Sequence, residues 1–272
     1  PVQRLCYACD DYSHQFFVND HEHPYTTPPG KPFMWIRGRQ VGGKTFCWAR
    51  ESYRYTDYEF KAASRDGYGE DWPFGYRELE PYYDKVESFI GVSGSKEGLE
   101  QMPDGKFLPP MNLSCGSLLV KKVIEEKFGW RVMPDRVANL TVPHRGRPAC
   151  HYCDECQRGC YTASYFNSPS VTLPAAARTG RFTLISDAVV SHLVMDRDDA
   201  RASGVHHIDR ISKADGESFA KVVVLAAGAL ESTRILLNSR PPRFPQGVGN
   251  SQGVLGHYLM DHIWVGGGAS GE

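Results

Sequence analysis

The sequence predicts a mixed α/β fold (α+β in its segregation), and three observations carry that prediction. Lys221 to Ala229 is a continuous apolar stretch that runs straight into a helical segment, Leu230 to Asn238. Phe182–Ile185, Val189–Met195 and Arg201–Ile208 alternate as strands, with the turn-prone Asp196-Arg197-Asp198-Asp199 between the last two. Leu79, Tyr82, Tyr83, Val86, Phe89 and Ile90 recur at helical spacing. With 272 residues, 41% hydrophobic and 23% charged, the chain has the composition of a globular protein with a sizeable core. Its 31 Lys and Arg balance 32 Asp and Glu, a formal net charge of −1, which argues against a nucleic-acid binder or an anionic-surface binder. The longest apolar run, Val222 to Leu230, falls far short of the roughly 20 residues that span a bilayer.

Taken in order, residues 1–55 read as an extended connection that ends in a glycine loop. Polar and aromatic residues with turn formers fill the first thirty positions without period, and His21-Glu22-His23 before Pro24 reads as an exposed turn. Then comes Arg37-Gly38-Arg39-Gln40-Val41-Gly42-Gly43-Lys44-Thr45-Phe46-Cys47-Trp48. Paired glycines permit positive φ and close approach of backbone amides to a ligand, and the basic neighbours Arg37, Arg39 and Lys44 suit a pyrophosphate or an electron-rich ring. A tight turn between two elements is the plain alternative.

Residues 56–167 read as a helical region with a lid or insertion. One amphipathic helix starts near Pro81, stops at Gly91 and buries its tyrosine pair; a second runs from Leu118 to Phe128 and closes at Gly129. Coil through Pro134, Pro143 and Pro148 leads to Cys150, Cys153, Cys156 and Cys160, spaced C-x2-C-x2-C-x3-C. That spacing matches the ferredoxin run whose thiolates hold an iron–sulfur cluster, although Tyr161 stands where a proline is usual. The pair Cys6 and Cys9 could join two of these four at a zinc ion. A cysteine-rich surface loop with free thiols or a local disulfide accounts for the same text.

Residues 168–240 read as a short Ala-rich helix, the strands, and the strand–turn–helix at Lys221 to Asn238. There Ala227 and Gly228 sit at a strand end where a dinucleotide can lie. Lys221 to Ala229 has the unbroken apolar character of a buried parallel strand. Residues 241–272 read as the start of a connection to a substrate domain.

The segments GRQVGGKTFCW, WPFGYRELEPYYDKVE, AAGALESTRILLNS and GHYLMDH, in that order, resemble the glucose–methanol–choline (GMC) FAD-dependent oxidoreductases over nearly the whole chain. The resemblance implies a partial three-layer FAD/NAD(P)-binding domain. It also implies an internal fragment, lacking the N-terminal GxGxxG and the C-terminal segment that bears the catalytic His. No histidine here is therefore assigned a catalytic role, and no compartment is assigned.

By the same resemblance, Gly42, Gly43 and Thr45 run past the FAD pyrophosphate, Arg39 orders that loop, and Cys47 is a small neighbour of the ring, where some relatives carry a flavin-linked His. Val189 meets the adenine through its backbone, Ala227 and Gly228 close over the cofactor, and Asp261-His262 marks a hinge. The implied activity is oxidation of an alcohol CH–OH group, of a sugar or polyol, by hydride transfer to flavin. Electrons would pass on to O2, a quinone or a cytochrome. The rival reading is an iron–sulfur or zinc module built on the four clustered cysteines.

Overall fold

The computed structural model describes residues 2, 3, 6 and 8–260. It divides the chain into two compact units, residues 1–183 and 184–272. Helices and one small antiparallel sheet make up the regular structure, so the mixed class holds.

The first unit contains five helices: α1 (Asp57–Phe60), α2 (Ala62–Asp66), α3 (Tyr76–Ile90), α4 (Cys115–Phe128) and α5 (Thr172–Ala177). α3 starts five residues before the Pro81 that the sequence suggested. Its first amides find acceptors early: the Glu78 carboxylate takes the Gly75 N–H at 3.1 Å, and Asp57 takes the Tyr76 N–H at 2.8 Å. Pro81 lies inside the helix, at the cost of the bond it would otherwise donate to the Arg77 carbonyl. Tyr82 and Val86 are exposed, so the expected apolar stripe is buried only in part: Ile90 is buried and Leu79, Tyr83 and Phe89 are half-buried. The helix is held by that part of the stripe together with the buried carboxylate of Glu87.

That carboxylate organises the unit's main polar knot. Arg54, whose side chain is 1% exposed, donates through Nε to Glu87 Oε1 at 2.8 Å and through Nη2 to Glu87 Oε2; it also reaches Asp84 at 2.6 Å and the Tyr76 hydroxyl at 2.8 Å. Against the burial that opposes it, these partners raise the Arg54 pKa and keep the group charged.

The coil expected before the cysteine run carries the deepest core. Val92, Arg136, Ala138 and Leu140 are all fully buried. Residues 136–140 are paired by their backbones to four other segments, one of them through the Cys150 N–H, which donates to the Leu140 carbonyl at 2.7 Å. Ser93 and Val137 exchange both bonds at 2.8 and 3.0 Å; Ser52 donates to Arg136 and Ala138 donates to Arg50; Phe166 donates to Ala138 and Leu140 to Ser164. The pairings are isolated bridges without regular strand length, so no alternating pattern marks them in the sequence.

In the second unit, β1 (Ala188–Met195), β2 (Ala202–Asp209) and β3 (Asp215–Phe219) form an antiparallel meander in the order β1-β2-β3. The Asp196 and Asp209 carboxylates accept the turn amides that follow β1 and β2. α6 (Ala229–Asn238) packs on β1: Ile235 and Leu193 are buried, and the Leu193 N–H donates to the Ser239 hydroxyl at 2.8 Å.

Two expected strands are corrected. Residues 182–185 and 221–228 form no strand, and Val222 and Val224 are 75% and 80% exposed. A buried parallel strand needs hydrogen-bonding neighbours in its sheet, and the described residues supply only the antiparallel meander. β3, with its sequence DGESF, is polar on both faces and gave no strand signal. Among the described residues no helix is long and apolar enough to cross a membrane.

Removing one partner from the Arg54 knot strands a buried charge. Glu87→Ala is expected to lower unfolding free energy by about 3–5 kcal/mol in urea titrations. The Arg54 hydrogen bond holds the Asp84 carboxyl below its usual range. Its stabilisation is therefore complete at neutral pH and is lost as pH falls below about 4. Asp84→Asn should flatten that acid limb of the stability curve.

Candidate functional site

The glycine loop owes its shape to its own short bonds. Gly42 takes φ +94° and Gly43 φ +52°, and residues Gly43–Phe46 form a single 3-10 turn. Gln40 and Gly43 close the entry: the Gly43 N–H donates to the Gln40 carbonyl at 2.8 Å, and the Gln40 amide donates back to the Gly43 carbonyl at 3.0 Å. Thr45 ties the turn to a segment more than a hundred residues away. Its hydroxyl donates to the Gly42 carbonyl at 2.6 Å and accepts the Ser168 N–H at 3.1 Å.

The two glycines have different reasons to be glycine. A Cβ on Gly42 would lie 2.5 Å from Cδ and 2.7 Å from Cγ of Pro169, so packing as well as φ forbids a side chain. A Cβ on Gly43 would meet nothing within 4 Å, so only the positive φ favours glycine there, and both backbone polar groups of the residue are already paired with Gln40.

The basic neighbours divide in the same way. Arg37 is buried, paired with Asp20, bonded to the His23 carbonyl and flanked by the Tyr25 and Trp35 rings at 5.1 and 4.7 Å; it is a structural cation and not a free one. Arg39 and Lys44 are exposed, and among the described residues no hydrogen bond holds the Arg39 side chain. Cys47 is half-buried against the cluster of Cys6, Ala8, Cys9 and Phe17. Burial raises its thiol pKa, and the neighbouring Cys6 adds to that rise, so it is a packed hydrophobe with little thiolate character.

In the second unit Val189 lies on β1 opposite Ile208 and is partly exposed. Gly228 caps α6 with φ +84° and ψ 163°, a conformation open essentially to glycine alone. A Cβ there would also meet nothing within 4 Å. The Ala227 N–H donates to the Ser232 hydroxyl at 3.2 Å, which fixes the bend.

A family model for GMC oxidoreductase matches residues 24–264. The chain belongs to the GMC oxidoreductase family. It is 30% identical over 246 residues to the fructose dehydrogenase large subunit of Gluconobacter japonicus, a match covering 84% of this chain and 44% of that protein. It is 33% identical over 223 residues to paromamine 6'-oxidase of Streptomyces fradiae, covering 80% and 40%. To 2-methyl-1,2-propanediol dehydrogenase of Mycolicibacterium austroafricanum it is 30% identical over 236 residues, covering 82% and 40%. The chain thus spans less than half the length of these GMC relatives. The residues expected at a hinge, Asp261-His262, lie outside the described residues.

The clustered cysteines do not form a ligand cage in this GMC chain. All eight thiols are free, and among the described residues no three His, Cys, Asp or Glu side chains stand where they could hold a metal ion. Positive φ at Tyr152 and Asp154 turns the run sharply, and Cys153 is exposed while Cys150, Cys156 and Cys160 are half-buried. Cys6 and Cys9 are buried in the apolar cluster beside Phe17. Burial raises the Cys156 thiol pKa. At Cys160 burial acts the same way but is overcome by hydrogen bonds from Thr162 and from the backbone at 162–165, and the thiol is held below its ordinary value. The run is a loop of free thiols.

Sequence reasoning missed Tyr165, Ser168 and Pro169, which brace the glycine loop. Nothing local marks them, because the contacts join residues 119 to 127 positions apart and Pro169 reads only as a helix start.

Substitution should separate the two glycines. Gly42→Ala is expected to cost about 2 kcal/mol or more, from the left-handed backbone plus the clash with Pro169. Gly43→Ala should cost about 1 kcal/mol, from the backbone alone. Thermal and urea unfolding of the pair measure this; equal losses would mean that Pro169 yields.

Proposed function

We propose that this chain supplies part of the FAD-binding domain, of three-layer architecture, in an enzyme that oxidises a CH–OH group of a sugar or polyol. The observation that carries the reading is the open space beside Gly43 and Gly228, both in glycine-favoured conformations with no protein atom within 4 Å of where a Cβ would stand. Such backbone lets a bulky anionic ligand approach amide groups closely. The residues fit the cofactor that the family uses. In the first unit, the Gly42–Thr45 loop would run along the pyrophosphate, with Gly43 presenting its backbone and Thr45 ordering the turn. Arg39 and Lys44 would add positive charge beside it, and Cys47 would pack near the ring. In the second unit, Val189 would meet the adenine through its backbone, and Ala227 and Gly228 would close over the cofactor at the start of α6.

FAD, when bound, supplies the hydride acceptor for alcohol oxidation. The chain's own share is to bind and orient: its buried Arg54 and Arg136 knots tie the scaffold together, and the half-buried Cys47 thiol, its pKa raised by burial, has little thiolate character beside the loop. The relatives' names support the substrate class, since they describe a fructose dehydrogenase, a paromamine 6'-oxidase and a 2-methyl-1,2-propanediol dehydrogenase. The electron acceptor would be O2, a quinone or a cytochrome. One relative is named as a large subunit, which makes a partner subunit a natural electron carrier to test.

The full-length protein, purified and mixed anaerobically with a panel of sugars and polyols, should show bleaching of flavin absorbance by at least one of them. Gly228→Ala should retain less FAD than the natural protein, by about tenfold, as expected from a strain of about 1–2 kcal/mol at the bend. Absence of bound or bindable FAD would overturn the assignment.

A further inference from the structure

The segment Tyr165-Phe166-Asn167-Ser168-Pro169 does more than lie beside the glycine loop. Four separate contacts join it to residues 42–48. The Tyr165 hydroxyl donates to the Phe46 carbonyl at 2.7 Å, and the Trp48 indole N–H donates to the Phe166 carbonyl at 3.0 Å with the two rings edge-on at 6.1 Å. The Ser168 N–H donates to the Thr45 hydroxyl at 3.1 Å. The Pro169 ring fills the space where a Gly42 Cβ would stand. Tyr165 is 1% exposed and Asn167 2%, so the segment is fixed in the interior, and its backbone is anchored to the buried 136–140 segment through Phe166 N–H and the Ala138 carbonyl.

The placement of these contacts is selective. Three of the four fall on a carbonyl or a side chain of the loop (Phe46, Thr45, Trp48), the fourth packs on Gly42, and none occupies the space beside Gly43. A brace that grips one side of a turn and leaves the other open fixes the direction in which the open side faces. Preorganised backbone donors bind an anion better than donors that must first be ordered. We infer that residues 165–169 form a strap that sets the aim of the glycine loop, with Tyr165 and Pro169 acting as positioning residues for the FAD phosphates through the loop.

The inference rests on the FAD reading above and deepens it. Burial keeps Tyr165 a neutral phenol, with its pKa raised and its proton committed to Phe46, so its part is that of a fixed donor and not of an acid–base group.

The test uses the full-length protein, stripped of cofactor and titrated with FAD by fluorescence quenching, with hydrogen exchange at amides 43–47 as a second readout. Tyr165→Phe and Pro169→Ala should each weaken FAD binding about fivefold, the value of one lost hydrogen bond or contact, and should speed exchange across 43–47. Thr45→Val should do the same, and Thr45→Ser should restore natural affinity because it keeps both hydroxyl bonds. Variants that bind FAD as the natural protein does would overturn the strap while leaving the FAD reading intact. Weakened binding with unchanged exchange at 43–47 would also overturn it, since the residues would then act on FAD by another route. A natural protein that binds no FAD would take down the reading and the strap together. Should Tyr165→Phe fail to fold, as judged by circular dichroism, Pro169→Ala and the Thr45 pair decide the matter alone.

Discussion

Backbone satisfaction of the buried segment 136–140 is the constraint on which the first unit depends. A chain that runs through the interior must find partners for every N–H and C=O, because an unpaired one costs about as much as a lost hydrogen bond. Here the partners come from residues 50–52, 93, 150 and 164–166, so four stretches are drawn to one line. Arg136, fully buried in that line, spends its guanidinium on the Met102 and Pro103 carbonyls at 3.1 and 2.6 Å and on Asp104 at 3.0 Å, with the Phe107 ring 4.8 Å away. One charged residue thereby satisfies the carbonyls of an otherwise irregular loop.

The glycine loop inherits its shape from this arrangement. Because 50–52 and 164–166 flank the same buried segment, the residues just before the first stretch and just after the second are brought face to face. The Trp48–Phe166 and Thr45–Ser168 contacts follow from that adjacency, and Pro169 then leaves room for nothing larger than glycine at position 42. Two adjacent glycines thus answer to different demands, one to internal packing and one to backbone conformation alone. The second unit solves its own bend with the conformation of Gly228, where no packing atom is involved at all.

Helices α3 and α4, with glycine after each, were legible because spacing and stop signals are local. So were β1 and β2, whose alternation and acidic turn lie within twenty-two residues of one another. The start of α3 was not legible, since one of its capping acceptors, Asp57, arrives from nineteen residues upstream. The apolar run at 221–229 misled for a related reason. Hydrophobicity reports that a stretch seeks burial, and only neighbouring strands turn that tendency into a sheet. The cysteine spacing left a ligand cage and a loop of free thiols both open, because ligand geometry depends on where the backbone turns, as it does at Tyr152 and Asp154 beside the exposed Cys153.

What the sequence by itself determined is the kinship and the local chemistry: four ordered motifs shared with GMC oxidoreductases, glycines where backbone must be bare, and balanced charge. Tertiary structure alone decided that Arg37 is a buried tie and not a phosphate ligand, that the thiols stay free, and that residues 165–169 brace the glycine loop. The physical reason is separation along the chain. Spacing and composition speak for residues within a few turns of each other, whereas a hydrogen bond between Thr45 and Ser168 exists only after the interior between them has closed.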